Sequence, residues 1–251
     1  MNKIKKFLKK YWPTICIFIG LILLYKYISD NGMLSKVLFP PIETILDSFV
    51  QNRTTMLKNL IASLQLWVPA IVISLAISLA IGVVMGMNER IREILHPIVY
   101  FISVIPAVLL SPFALLLAPS FRAASLFLIV FGSICSSLFS TFTGIMAIVR
   151  RYLDKAATLE LHGMKKFVKV ILPAASPAIL SGFNSSLRGA FVMLAYSEMY
   201  GTQYGMGFFV KKNAEYALYN NTWSGFIFMA VVLVTIMLIF EQVKKRLLKW
   251  T

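Results

Sequence analysis

Charge is scarce in this 251-residue sequence: only 14% of residues are Asp, Glu, Lys or Arg, and only 10 of those are acidic. Soluble domains carry about 25% charged residues, so a water-soluble globule is excluded in practice. There are 2 cysteines and 2 histidines. Neither cysteine has a partner at metal-ligand spacing, and Cys16 and Cys135 both fall in apolar stretches, which reads as small core residues rather than a redox or metal centre. No Gly-x-x-x-x-Gly-Lys-Ser/Thr phosphate loop occurs anywhere, so nucleotide hydrolysis is not read in this chain. No Ser/His/Asp or Cys/His set stands out, because His96 and His162 are far apart and both sit at predicted helix ends.

What is abundant is apolar surface. Hydrophobic residues make up 59% of the chain and the mean hydropathy is +0.78. Uncharged runs of 30 residues (Lys58 to Glu89), 28 (Glu93 to Arg122), 27 (Arg122 to Arg150) and 25 (Glu215 to Glu241) are each longer than the ~20 residues that a membrane helix needs. Runs such as 70–84 do not alternate as barrel strands must, and in lipid a continuous apolar run must pair its own backbone as a helix. The sequence predicts an all-α membrane protein, a single domain over 1–251. Its six spans lie at about 12–28, 63–87, 95–118, 123–149, 176–200 and 222–243. The Lys-rich start before the first run fits a signal peptide, but no small-x-small cleavage site follows, so the first span is read as a retained anchor.

A net charge of +15 invites a nucleic-acid reading, and its distribution argues otherwise. With the N-terminus placed in the cytoplasm, inside segments hold 17 basic residues and outside segments 6, with Lys26 and Arg188 in spans. That bias is the positive-inside pattern. The charge therefore predicts two cytoplasmic termini and contact with anionic membrane lipid, and no nucleic-acid partner.

Several local patterns bear on function. After the first span, Pro40-Pro41 precedes apolar residues at helical spacing (Ile42, Ile45, Leu46, Phe49, Val50), which predicts a short amphipathic helix lying on the outer surface. Ser74, Ser78, Gly82 and Gly86 repeat every four residues, a small-residue face suited to close helix packing. Pro106 and Pro112 predict a bend in the third span. Ser133, Ser136, Ser137, Ser140, Thr141 and Gly144 form one stripe on the fourth span. It serves either packing or a route for a polar solute. The fifth span carries Arg188 and Glu198, ten residues apart. They lie roughly 80° apart around the axis and about 15 Å along it, so they cannot pair on one helix. Charges at this depth cost about 3 kcal/mol or more and commonly mark pathways. They are read as pathway or gate residues, with packing as the alternative.

The segment 150–175 is too long for a tight turn and too regular for a linker, and two short helices around a break near His162-Gly163 fit it. It resembles the coupling loop of ABC importer permeases, whose pattern is Glu-Ala-Ala, three residues, Gly, nine residues, Ile-x-Leu-Pro. Anchored on Leu172-Pro173, Asp154-Lys155-Ala156 falls on Glu-Ala-Ala without a gap, Thr158-Leu159 match residues common between the blocks, and Val170 falls on the Ile. Lys155 departs from Ala, and Glu160 stands where the family has its turn glycine. The nearest glycine, Gly163, is three residues on, which predicts a shifted or reshaped bend. Phe39-Pro40-Pro41-Ile42-Glu43-Thr44, Ser103-Val104-Ile105-Pro106, Thr141-x-x-Gly144, Arg188 and Ser197-Glu198-Met199 extend the resemblance along nearly the whole chain. They place it nearest the nitrate/sulfonate/taurine group.

The resemblance implies a type I importer permease in the bacterial plasma membrane. It implies four kinds of partner: a second permease subunit, identical or similar; two cytoplasmic ATPases that bind ATP, the chain itself carrying no cofactor; and an extracytoplasmic solute-binding protein. It makes Asp154, Lys155, Ala156, Ala157, Glu160, Gly163, Leu172 and Pro173 the ATPase-coupling residues. Arg188, Glu198, Ser133, Ser137, Ser140 and Thr141 are the candidates for the pathway or gate. Family solutes are small organic anions, nitrate and some heterocyclic vitamin precursors. A stand-alone channel or secondary transporter is the competing reading, and it leaves the 150–175 segment without a purpose.

Overall fold

The computed structural model describes residues 2–32, 35–148 and 150–248, with the side chains of 2–11, 150, 151 and 153 outside the description. Val149, the predicted end of the fourth span, lies outside it too. Among the described residues every regular element is helical. Five helices are long and apolar enough to cross a membrane, and a bent pair makes a sixth if counted as one span.

Helix α1 (Asn2–Asp30) is followed by α2 (Ile42–Met87), which runs 46 residues without a break, about 69 Å at 1.5 Å per residue. The amphipathic stretch after Pro41 is therefore not a separate surface helix. It is the first part of α2, because Pro41 supplies the extended residue before a helix start and nothing from 42 to 62 interrupts the run. This corner is pinned from two sides. Tyr25 and Ser29 of α1 donate hydroxyls to the carbonyls of Pro40 (2.9 Å) and Phe39 (3.0 Å), Lys26 pairs with Glu43, and the Trp223 indole donates to the Leu38 carbonyl at 2.9 Å.

Asn88 caps α3 (Glu89–Val104), its side chain accepting from the Ile91 amide at 3.2 Å. The predicted bend of the third span occurs at Ile105-Pro106. A 3-10 turn (Ala107–Leu110) and α4 (Ser111–Leu117) leave α3 at 82°. Proline has no amide hydrogen and its ring clashes with the preceding turn, so the helix cannot pass through it unbroken. Ser120 caps α5 (Phe121–Met146), which ends three residues before the predicted boundary. Then come α6 (Arg150–Thr158), α7 (Gly163–Lys166), a π-helical turn (Phe167–Ile171), α8 (Leu172–Gly201), α9 (Met206–Glu215) and α10 (Tyr219–Leu247).

The core is a layer of three helices, with α5 packed most extensively on α8 and α2. Small residues set the spacing. A Cβ on Gly182 would fall 2.2 Å from the Ser140 Cβ, and one on Gly82 would fall 2.7 Å from the Thr141 Cβ, so neither position accepts a larger residue at this separation. The repeat Ser74, Ser78, Gly82 and Gly86 is thus an interhelical face: Ser74 and Ser78 are buried, and Gly86 abuts Ile145. α1 is the opposite case, with Ile17, Phe18, Leu21 and Ile22 all more than half exposed, a face made for lipid or another chain.

Candidate functional site

The segment between α5 and α8 is a helix, a turn, and then a second helical run that never separates from α8. The C-terminus of α6 closes through two crossed bonds, Leu161 N–H to the Ala156 carbonyl and Glu160 N–H to the Ala157 carbonyl, both 2.9 Å. This is the Schellman pattern, whose closing residue is left-handed and is usually glycine. Here it is Glu160, at φ +52°. The bend is therefore not displaced to Gly163: it sits at the position where the family has glycine, and Gly163, also at φ +52°, makes a second left-handed step three residues on. The His162 ring nitrogen Nδ1 lies 2.8 Å from the Glu160 carbonyl, holding the turn together.

From Gly163 the chain stays helical to Gly201, 39 residues in all. Two short helices around the break were expected; the second is instead the first turn of this long run. Pro173 explains the π turn before it. Lacking an amide hydrogen, it cannot bond the carbonyl four residues back, and the Leu172 amide reaches back to Phe167 instead.

The predicted coupling residues divide by exposure. Asp154, Lys155, Ala157, Glu160 and Gly163 are exposed, Leu172 and Pro173 are half-buried, and Ala156 is 1% exposed. Ala156 thus packs within the chain, where α6 meets the π turn. Of the two alanines, Ala157 is the one that presents open surface.

The predicted pathway residues divide as well. Ser133, Ser137 and Thr141 are fully buried. Ser133 donates to the Ile129 carbonyl at 2.7 Å and its Oγ lies within hydrogen-bond distance, 2.9 Å, of the Ser74 hydroxyl; its own carbonyl accepts from Ser186 at 2.6 Å, and Thr141 donates to the Ser137 carbonyl at 2.7 Å. Ser133 is the member that joins α5 to α2 and α8, Thr141 bonds within its own helix, and the buried Ser137 hydroxyl has no partner among the described residues, so within this single chain these three side chains face neighbouring helices rather than open space. Ser140 is half-buried against Gly182, and Ser136 is the exposed member of the stripe.

Arg188 is exposed in the middle of α8, on one face with Ser181, Ser185 and Val192, and among the described residues it makes no hydrogen bond or ion pair. One turn beyond it, Val192 borders a cavity of about 370 Å³ where the break at Pro106 meets α5 and α8. Ser103, Cys135, Ser136 and Gly189 also line it. Polar backbone at membrane depth is tolerated where it is buried in protein or borders water. The proline signal marked this break, but Cys135 and Gly189 carried no signal of their own.

Glu198 is placed differently from a freely moving gate. It is 1% exposed, and its Oε2 accepts the Gly207 amide at 2.8 Å. It also borders a cavity of about 560 Å³ with Gln65, Arg122 and Gln203, at the end of the bundle far from the 150–175 segment. Asn59 and Ser63, which no pattern along α2 singles out, stand beside it: they accept from the amides of Gly205 (3.0 Å) and Met206 (2.9 Å). Among the described residues no group of three or more His, Cys, Asp or Glu could hold a metal ion.

Comparison with known proteins agrees with this architecture. Two solved transporters share the fold. One is an inward-facing MetNI methionine ABC transporter (TM-score 0.65, 13% identity, covering 78% of this chain and 97% of that one). The other is an amino acid ABC transporter (TM-score 0.59, 18% identity, covering 81% and 97%). In sequence, the chain is 28% identical over 163 residues to a Bacillus subtilis (strain 168) protein named as an aliphatic sulfonates transport permease, SsuC, covering 65% of this chain and 59% of that one. It is 25% identical over 142 residues to the nitrate import permease protein NrtB of Leptolyngbya laminosa, covering 57% and 49%. The chain spans about three-fifths of the length of the first of these curated relatives. The model of one family matches residues 76–251, from the middle of α2 through the coupling segment to the last helix. The chain belongs to that family, the binding-protein-dependent transport system inner membrane components.

Proposed function

We propose that this chain is the membrane-spanning permease subunit of an ATP-driven importer of a small anion. The observation that carries the reading is the segment 150–201. An exposed helix-and-turn with the coupling pattern is joined, without a break in helicity from Gly163 to Gly201, to the helix that bears Arg188. A force applied to the turn acts on the whole of α8. In this reading ATPase subunits dock at Asp154, Lys155, Ala157 and Glu160, and their closure on ATP tilts α8 and changes which side of the membrane the path faces. The chain has no ATPase site of its own and binds no cofactor; ATP is held by the partner.

The route runs along the exposed face of α8. A guanidinium facing lipid in mid-span costs about 3 kcal/mol on insertion scales, so Ser181, Ser185 and Arg188 call for water and a second permease chain to cover them. The broken third span and its cavity border the same face. A cation on the route that is unpaired among the described residues favours an anionic solute, consistent with the sulfonate and nitrate named for the relatives. The basic-residue bias puts the 150–175 end and both termini in the cytoplasm. The far end then faces an extracytoplasmic solute-binding protein.

The test is co-expression with the partner ATPase and binding protein, followed by uptake into proteoliposomes. ATP-dependent accumulation of a radiolabelled alkanesulfonate or nitrate, by a complex with two permease chains in native mass spectrometry, is the expected result. Uptake that proceeds without any ATPase, or a complex with one permease chain, overturns it.

A further inference from the structure

The first turn of α9 has an unusual set of partners. The first amides of a helix have no acceptor inside it and are normally met by one capping side chain and water. Here three successive amides go to three side chains on two other helices: Gly205 N–H to Asn59 Oδ1, Met206 N–H to Ser63 Oγ, and Gly207 N–H to Glu198 Oε2. The backbone comes close enough that only glycine fits. A Cβ on Gly205, at φ +112°, would fall 2.3 Å from the Glu198 Cδ, and one on Gly207 would fall 2.4 Å from the Ala195 carbonyl oxygen.

The other end of α9 is tied to the same stretch of α2. Buried Asn213 accepts from Asn221 Nδ2 at 2.9 Å, and the Asn221 Oδ1 accepts from Ser48 (2.6 Å) and Asn52 (3.1 Å). Between the two ends Met56, Met206, Phe209 and Met229 form a separate apolar cluster. Helix α9 is thus held at its first turn and along its buried side by α2, and its other end is tied to the same 48–63 stretch through Asn221 of α10. Glu198 ties that assembly to α8, the helix whose opposite end emerges from the coupling turn.

We infer that Glu198 is a positioning residue that locks α9 and the 48–63 stretch of α2 to the end of α8, so that movement of the coupling turn reaches the far-end surface as movement of one body. Its side chain acts by accepting an amide hydrogen, with no direct part in holding solute. This deepens the permease reading above and rests on it for the identity of the two ends.

The experiment uses the full complex with its ATPase and binding protein, and three readouts. In hydrogen–deuterium exchange the amides 205–207 are slow in the wild type and at least tenfold faster in Glu198→Ala. Glu198→Gln, whose amide oxygen still accepts, stays within about threefold of wild type. Basal ATP hydrolysis is retained in both variants. Stimulation by solute-loaded binding protein falls at least fivefold in Glu198→Ala and is restored in Glu198→Gln. Should Glu198→Ala fail to assemble, Asn59→Ala removes one of the three bonds and is expected to raise the half-stimulating concentration of binding protein about threefold. Wild-type stimulation in Glu198→Ala, or in Asn59→Ala where that is the variant used, overturns the inference. So does Glu198→Gln behaving as Glu198→Ala. A wild-type complex that shows no stimulation at all contradicts the permease reading instead, and the exchange measurement still reads the lock on its own.

Discussion

Arg188 and Glu198 lie ten residues apart on α8 in opposite environments: the arginine is exposed and unpaired among the described residues, and the glutamate is 1% exposed with the Gly207 amide on its Oε2. The two charges therefore have separate tasks. In the proposed reading one belongs to an open face completed by a second chain and water, and the other to an internal joint.

Arg188→Met removes the unpaired cation from that face. Uptake of a small anion is expected to fall at least tenfold, while assembly stays at wild-type level because Arg188 makes no hydrogen bond or ion pair among the described residues. Uptake by proteoliposomes, beside the yield of complex on size exclusion, measures both. Normal uptake would show that the face does not carry solute.

Cys135 offers a native probe of the same route, since it borders the cavity at the broken span. In a Cys16→Ser background a sulfonate-bearing methanethiosulfonate is expected to label Cys135, with a rate that changes between nucleotide states and drops in Arg188→Met. Mass spectrometry of the intact chain reads the labelling. Complete protection in every state would take the cavity off the aqueous route.

Ala156 and Ala157 should separate folding from docking. Ala157→Arg lies on open surface and should shift stability by no more than about 0.5 kcal/mol, yet abolish co-purification of the ATPase. Ala156→Arg forces a long side chain into a packed site, at about 1–3 kcal/mol, and should loosen α6 itself, seen as faster proteolysis near 150–160. An Ala157→Arg complex with its full complement of ATPase would rule out this docking surface.

Glu160→Gly places glycine at a left-handed position that costs other residues about 1–2 kcal/mol. The turn should become more stable by about 1 kcal/mol, with slower amide exchange at Glu160 and Leu161, and ATPase docking should persist. Loss of docking would mean that the Glu160 side chain is itself part of the contact. At Gly205 the opposite holds: Gly205→Ala meets both a strained φ and the Glu198 side chain, and should cost about 3 kcal/mol, read as a lower thermal midpoint in detergent.

Sequence by itself determined the helical membrane architecture, the bend at Pro106, the small-residue face of α2 and the coupling pattern before Pro173. Each of these is a property of a contiguous segment: hydropathy over one span, a missing amide hydrogen, a period of four along one helix. Tertiary structure decided which face each helix turns to its neighbours. Ser133 and Ser136 are three residues apart on one hydroxyl stripe, but α2 and α8 cover the first and leave the second open. The amphipathic stretch at 42–62 has the same pattern whether it lies on a membrane surface or continues into a span, and only its continuity with 63–87 made it part of α2. Glu160 took the left-handed turn although it is not glycine, because the crossed bonds to Ala156 and Ala157 hold it there. The role of Glu198 depended most on the fold. Its hydrogen-bond partner comes from the first turn of α9, whose neighbouring amides are held by Asn59 and Ser63 of α2, and no periodicity along α8 records that an amide from another helix ends against that carboxyl group.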